Sequence, residues 1–121
     1  VSAEEYHPDG NHPMDVIDLL RPVADAFDLI HVSSGGVANV SMSPFPLYQV
    51  DFAKAIKAAL HKPVIAVGLI TTREQVEAVL QDVDLVALGR ELLRHPYWVN
   101  AAYAADHQLD AVFESYRRGY Q

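Results

Sequence analysis

Two hydrophobic patterns alternate along the chain. Short apolar runs rich in β-branched residues occupy Asp28–Val32, Pro63–Val67 and Asp84–Leu88, and we interpret Val1–Ala3 as the end of another. Between these runs, apolar residues recur at spacings of three and four, as on one face of a helix. Near-continuous apolar strands that alternate with helices indicate a parallel sheet covered by helices. The pattern therefore predicts an α/β fold of about four parallel βα units, in one domain over residues 1–121.

The helical pattern also predicts where helices begin and break. An apolar stripe runs over Met14–Phe27, and we expect a kink or a restart at Pro22 because proline removes a helical donor. A second stripe predicts a helix over Val50–Leu60. The segment Thr71-Thr72-Arg73-Glu74 fits a Thr-x-x-Glu capping box at the start of a third helix. Near the end of the chain, Pro96 suits the first position of a helix.

Composition and charge exclude several classes of protein. Half of the 121 residues are apolar, and 16 acidic side chains outnumber 9 basic ones, which gives a formal charge of −7. A nucleic-acid or anionic-membrane surface needs clustered Lys and Arg, so this balance argues against both. Without cysteine, the chain can form no disulfide, thiolate metal site or thiol nucleophile. No apolar run reaches the ~18–20 residues of a membrane span, and the residues from Val1 onward do not match a signal peptide.

Glycine follows three of the predicted strands. In parallel α/β folds ligands bind at the carboxyl ends of the strands, and these ends carry Ser33-Ser34-Gly35-Gly36, Gly68 and Gly89. Glycine allows a backbone N–H to approach a phosphate closely, and Arg90 adds a forked, permanently charged donor. The last two strands, with a short helix predicted over Glu91–Arg94, match the phosphate site of many (β/α)₈ barrels. These residues favour a phosphate-bearing ligand; ordinary turns and an ion pair between Arg90 and a surface carboxylate are the alternative.

The remaining polar motifs indicate no metal site. His7 and His12 share a loop, but no partner at helical spacing accompanies them, so we expect a solvated loop. His31 lies in a predicted strand, where a histidine in the core or at its rim is commoner than a catalytic base. The Tyr116–Tyr120 segment has two interpretations: a disordered end, or aromatic and arginine side chains that dock on another subunit.

Three longer segments match a known family. They are Pro46-Leu47-Tyr48-Gln49-Val50, Ala66-Val67-Gly68-Leu69-Ile70-Thr71 and Leu88-Gly89-Arg90-Glu91-Leu92-Leu93-Arg94-His95-Pro96. Further matches are Val1-Ser2-Ala3 with Tyr6, Ser33-Ser34-Gly35, and Arg118-Gly119-Tyr120. Together they resemble the C-terminal half of old yellow enzymes, in the bacterial NADPH dehydrogenase or ene-reductase branch. The resemblance implies half of a (β/α)₈ TIM barrel that binds FMN, with strands that resemble the fifth to the eighth.

The resemblance also implies an activity and roles for individual residues. Enzymes of this family take hydride from NADPH onto FMN and pass it to the β-carbon of an activated, enone-type alkene. By motif, Gly68, Gly89 and Arg90 would hold the FMN phosphate, with Ser33 as a further contributor. Arg118 matches an arginine that reaches from one subunit into a neighbour's active site. We therefore expect a cytoplasmic homo-oligomer, or a partner that supplies the N-terminal half.

The matched segments do not include the family's redox and substrate-binding residues. The flavin-adjacent Cys or Thr, the substrate-anchoring His pair and the tyrosine proton donor belong to the first half of the barrel. No catalytic residue is therefore assigned to this chain, and we expect the chain alone to be inactive. The main alternative is a non-catalytic half-barrel that self-associates or complements a separate N-terminal half, because the sheet edges near Val1 and Leu85–Leu88 need cover. A phosphate-binding barrel of another chemistry, such as an isomerase, is a third interpretation.

Overall fold

A three-stranded parallel sheet organises the first part of the chain. The computed structural model describes residues 1–121, which divide into two compact units, Val1–Leu88 and Gly89–Gln121. In the first unit, β1 (Ile30–Val32), β2 (Val64–Ala66) and β3 (Leu85–Val86) lie in that order across the sheet. Both neighbouring pairs are parallel. The expected parallel α/β arrangement is therefore confirmed.

The expected fourth strand is present only as a single bridge. Ser2 pairs in parallel with Ser33, just after β1. The Ser33 N–H donates to the Val1 carbonyl over 2.9 Å, and the Ala3 N–H donates to the Ser33 carbonyl over 2.8 Å. The start of the chain thus lies along the free edge of β1, at the place where the sequence predicted a strand.

The first helix ends before the proline. Helix α1 covers Pro13–Leu20, and the chain continues as a 3₁₀ helix over Arg21–Ala26, so the expected restart around Pro22 is confirmed. The predicted apolar stripe is wrong at its two ends, since Met14 and Phe27 are exposed. The residues of α1 that are buried are Val16, Ile17 and Leu20.

Helix α2 has the predicted bounds, whereas the cap of α3 differs by one residue. Helix α2 covers Val50–Leu60 and α3 covers Arg73–Leu80. The cap of α3 is Thr72, whose hydroxyl accepts from the Gln75 N–H over 3.3 Å. The Gln75 side-chain oxygen accepts in turn from the Thr72 N–H over 3.2 Å. The capping box is therefore Thr72–Gln75 and not the predicted Thr71–Glu74.

The core of the first unit lies where α1, α2 and α3 meet the sheet. Its most deeply buried side chains include Val32, Ile56 and Val64. At the amino ends of β2 and β3, the Asp84 carboxylate accepts from the Val64 N–H over 2.9 Å and pairs with Lys57 over 3.0 Å. The Val64 N–H, followed by Lys57, lowers the pKa of Asp84 below its ordinary value.

The second unit is entirely helical. It contains α4 (Arg90–Arg94), α5 (Trp98–Ala105) and α6 (Glu114–Arg117), with 3₁₀ turns over Leu109–Ala111 and Arg118–Tyr120. Helix α5 begins two residues after Pro96, so the prediction that Pro96 opens a helix is wrong by these two positions. None of the helices combines the length and the apolar character needed to cross a membrane.

Candidate functional site

The turn after β2 requires a glycine for steric reasons. Gly68 has φ +133°, a backbone conformation that side chains with a Cβ rarely adopt. A Cβ at this position would lie 3.1 Å from both the Cβ and the backbone nitrogen of Gln49. The Gly68 carbonyl accepts from the Leu47 N–H over 2.8 Å. Gly68 therefore brings the end of β2 close to the segment that leads into α2.

Gln49 links the ends of two strands, and sequence reasoning assigned it no role. Its side chain is buried, and Nε2 donates to the Ser34 carbonyl over 3.2 Å and to the Tyr48 hydroxyl over 2.8 Å. Since Ser34 follows β1 and Gly68 follows β2, this one amide packs between the carboxyl ends of both strands. The available signal was a polar residue directly before the apolar stripe of α2.

Ser33 uses its polar groups within the fold. Its backbone N–H and its hydroxyl both donate to the Val1 carbonyl, over 2.9 Å and 3.3 Å. The next residue, Ser34, is bonded through its hydroxyl to the hydroxyl of Tyr6 over 2.7 Å. The predicted ligand role of Ser33 therefore competes with a bond that holds the start of the chain against β1.

Gly89 and Arg90 begin the second unit. Gly89 is exposed, and a Cβ there would meet no atom within 4 Å. Arg90 is also exposed, and no carboxylate of its own unit pairs with its guanidinium. Glu91 instead pairs with Arg94 over 2.7 Å. The alternative in which a surface carboxylate satisfies Arg90 is not observed within this unit, so the guanidinium can receive an anion.

The two arginines near the end of the chain differ in their contacts. Arg117 donates from Nε to the Val112 carbonyl over 2.9 Å and from Nη2 to the Asp110 carbonyl over 2.7 Å. Arg118 is exposed and its side chain forms no such bond. Close by, the rings of Tyr97 and Tyr116 lie 4.9 Å apart, and the neighbouring Tyr97 hydroxyl raises the pKa of Tyr116. The terminal segment is therefore folded, with Arg118 available for an external contact.

The two glutamates that follow the Ser2 bridge bind two different loops of the first unit. Glu4 pairs with Nδ1 of His12 over 2.9 Å, and this contact raises the pKa of the imidazole. No group of three or more potential metal ligands occurs in the chain. The neighbouring Glu5 is buried, and its carboxylate accepts from the backbone N–H groups of Val37 and Ala38. Sequence reasoning missed Glu5, because a loop glutamate carries no signal of burial.

Comparison with known proteins shows the family of the chain. A family model described as the NADH:flavin oxidoreductase / NADH oxidase family matches residues 2–108. The NADPH dehydrogenase of Geobacillus thermodenitrificans is 42% identical over 127 residues, which cover 100% of this chain and 36% of that protein. That of Clostridium acetobutylicum is 46% identical over 102 residues, which cover 82% of this chain and 30% of that protein.

A third relative has the same coverage. The NADPH dehydrogenase of Geobacillus sp. (strain WCH70) is 39% identical over 127 residues, or 100% of this chain and 36% of that protein. The chain thus spans about a third of the length of the curated relatives it matches. The resemblance to old yellow enzymes is confirmed, and this chain belongs to the NADH:flavin oxidoreductase / NADH oxidase family.

Proposed function

We propose that this chain supplies the phosphate-binding part of an FMN-dependent NADPH oxidoreductase of the ene-reductase type. When bound, FMN supplies the redox chemistry, taking hydride from NADPH and passing it to an activated, enone-type alkene. The observation that carries the proposal is the exposed Arg90 guanidinium, which no carboxylate of its unit neutralises. The proposal includes the cytoplasmic location that the resemblance implies.

Each proposed phosphate ligand has a chemical reason. Arg90 presents a planar, permanently charged donor set, which fits the oxygens of a phosphate. Gly89, directly before it, leaves open space where a side chain would otherwise stand, so a phosphate could approach its backbone. Gly68 would offer backbone at the carboxyl end of β2, the side of a parallel sheet where ligands bind. Ser33 would contribute only after giving up the bond between its hydroxyl and the Val1 carbonyl.

Arg118 belongs to the same proposal as a contact to a second subunit. Its exposed side chain has no partner within its own unit, whereas Arg117 is held by two backbone carbonyls. A guanidinium that reaches into a neighbouring active site must be free in this way. We therefore propose a homo-oligomer in which Arg118, and not Arg117, makes the contact.

Titration with FMN tests the phosphate site directly. Binding should quench flavin fluorescence, and Arg90→Ala should weaken it by about tenfold or more, because a hydrogen bond to a charged group contributes about 1.5–3 kcal/mol. Arg94→Ala is the matched control, since Arg94 lies on the same helix but pairs with Glu91. Equal losses in the two variants, or no quenching by wild type at tens of micromolar FMN, would contradict the proposal.

The sheet edges favour a second candidate function, a half-barrel that acts by association. One edge carries only the Ser2 bridge, and at the other edge Leu85 of the two-residue strand β3 is 49% exposed. Exposed edges of this kind are normally paired or covered, by a second copy or by a separate N-terminal half. Light scattering that finds a monomer at high concentration would count against self-association. In either case we expect little or no NADPH consumption with an enone by this chain alone.

A further inference from the structure

A cavity of about 380 Å³ opens at the carboxyl end of β1. Its lining consists of one wall from the loop over residues 35–42 that follows β1, all but residue 41, together with Glu5 and Tyr6. This is the side of a parallel sheet where ligands bind in α/β folds. None of the residues assigned above to the FMN phosphate lines this cavity.

A buried carboxylate holds the middle of the cavity wall against the rest of the first unit. Glu5 is only 4% exposed, and its Oε2 accepts from the Val37 N–H over 3.1 Å and from the Ala38 N–H over 3.2 Å. Val37 itself is 80% exposed, so apolar packing of its side chain does little to hold the loop. The conformation of residues 37 and 38 therefore depends on these two bonds to Glu5.

The loop needs such an attachment because its start is conformationally free. Gly35 and Gly36 have φ values of +71° and +90°, and a Cβ at Gly36 would meet no atom within 4 Å. Because both glycines lie in the left-handed region, a loop without further hydrogen bonds could adopt many backbone conformations. The Gly35 N–H donates to the Glu4 carbonyl over 2.7 Å, which fixes the loop only up to that point.

Glu5, in contrast, is fixed by contacts with the segment that precedes α1. Its N–H donates to the Asn11 carbonyl over 3.0 Å, and a Cβ on Gly10 would lie 2.7 Å from the Cβ of Glu5. The nearby Ser2 hydroxyl and the N–H groups of the loop lower the pKa of Glu5, although the Ser2 hydroxyl lacks a hydrogen bond of good geometry. Glu5 is therefore ionised at neutral pH.

The other titratable groups of this region are directed elsewhere. The Glu4 carboxylate pairs with the His12 ring and accepts from the Tyr6 N–H. The Tyr6 hydroxyl is bonded to that of Ser34. Glu5 is thus the one carboxylate bonded to the Val37–Ala38 backbone.

We propose that Glu5 is a positioning residue for ligand binding, whose carboxylate fixes the 35–42 wall of the cavity through the backbone of Val37 and Ala38. The role rests on the proposed function insofar as the ligand is the flavin. Glu5 touches no reacting group, and it acts by selecting one conformation of a glycine-rich loop.

Hydrogen exchange of the full chain at neutral pH tests this role. In Glu5→Ala, the amides of Val37 and Ala38 should exchange about tenfold faster or more, because each loses a bond to a charged acceptor. Glu5→Gln keeps an acceptor oxygen without the charge and should restore part of the protection. Glu4→Ala is the control and should leave both amides unchanged. No acceleration in Glu5→Ala, or an equal acceleration throughout β1, would overturn the proposal.

A spectroscopic signature and FMN affinity separate positioning from a general loss of structure. As pH falls, the amide proton shifts of Val37 and Ala38 should titrate together in wild type and should stay flat in Glu5→Gln. FMN should bind several-fold more weakly to Glu5→Ala than to wild type, and an unchanged affinity with a loosened loop would refute the link to the ligand. If wild type binds no FMN, the proposed function fails, whereas faster exchange at the two amides would still support Glu5 as the residue that positions the loop.

Discussion

The two glycines proposed to contact the FMN phosphate should lose very different amounts of stability when replaced by alanine. Gly68 has φ +133° and would place a Cβ at 3.1 Å from two atoms of Gln49, one of them backbone nitrogen. Gly89 has open space around the same position. Gly68→Ala is therefore a test of fold stability, and Gly89→Ala is a test of ligand binding.

The expected cost of Gly68→Ala follows from two terms. A residue with a Cβ held in this backbone region costs about 1–3 kcal/mol, and forcing a methyl group into a filled space costs about 1–3 kcal/mol more. Alanine also lowers the conformational entropy of the unfolded chain, which offsets about 0.4–1 kcal/mol of this loss. The net loss in the free energy of unfolding should therefore be about 3 kcal/mol. Gly89→Ala only replaces the cap of α4 by a weaker one, so its loss in the free energy of unfolding should be less than about 1 kcal/mol.

Urea unfolding followed by far-ultraviolet circular dichroism measures both losses, provided that the denaturant slope is unchanged. Gln49→Ala in the Gly68→Ala background serves as a control. Of the contacts that the new methyl group makes, it removes only the one with Cγ at 3.4 Å, and it also breaks the Nε2 bonds to Ser34 and Tyr48, so it should not restore stability. Near-wild-type stability of Gly68→Ala, rescue by Gln49→Ala, or an equal loss in Gly89→Ala would refute the reasoning.

Three further predictions concern the first unit. Ile56 is 0% exposed, so Ile56→Val should lower the free energy of unfolding by about 0.5–1.5 kcal/mol in the same assay. Thr72→Ala should lower the free energy of unfolding by about 1 kcal/mol and Thr71→Ala by less, because Thr72 is the cap. A larger loss in Thr71→Ala would instead support the capping box at Thr71–Glu74 that the sequence predicted. The Val64 N–H holds the pKa of Asp84 below 3.8, so this carboxylate stabilises the fold above its unfolded pKa and stops doing so as pH falls through the folded pKa. The stability difference between wild type and Asp84→Asn should shrink on acidification over that range, and a constant difference would contradict this assignment.

Hydrophobic periodicity predicted the order of the three paired strands and the α-helices of the first unit, and the bounds of α2, but not the lengths of the strands. The apolar run Pro63–Val67 contains a strand of only three residues, Val64–Ala66. The two flanking residues of the run are not in the core, since Pro63 is exposed and Val67 is half-buried. Apolar character alone does not show which residues pair in the ladder, so the run is longer than the strand.

The cap of α3 shows a second limit. Thr71–Glu74 and Thr72–Gln75 both fit the capping pattern, and the sequence does not distinguish them. The structure selects the second because the Gln75 side-chain oxygen accepts from the backbone of Thr71 at 2.8 Å as well as from that of Thr72. The choice between two adjacent cap positions thus depends on one oxygen that accepts from two backbone N–H groups. This arrangement forms only when the turn before the helix is folded.

The sequence predicted which residue types lie at the strand ends of the candidate site. It did not predict which of their side chains would lack a partner within the fold. Arg117 and Arg118 are adjacent and chemically identical, so only the match to the Arg118-Gly119-Tyr120 motif singled out Arg118 for an external contact. Folding separates them, since the carbonyls of Val112 and Asp110 bind the guanidinium of Arg117 and leave Arg118 exposed. The same logic applies to Arg90, which is exposed while Glu91 binds Arg94. In both places the proposed binding role belongs to the arginine that the motif match names, and the folded chain leaves that same arginine exposed and without an internal acceptor.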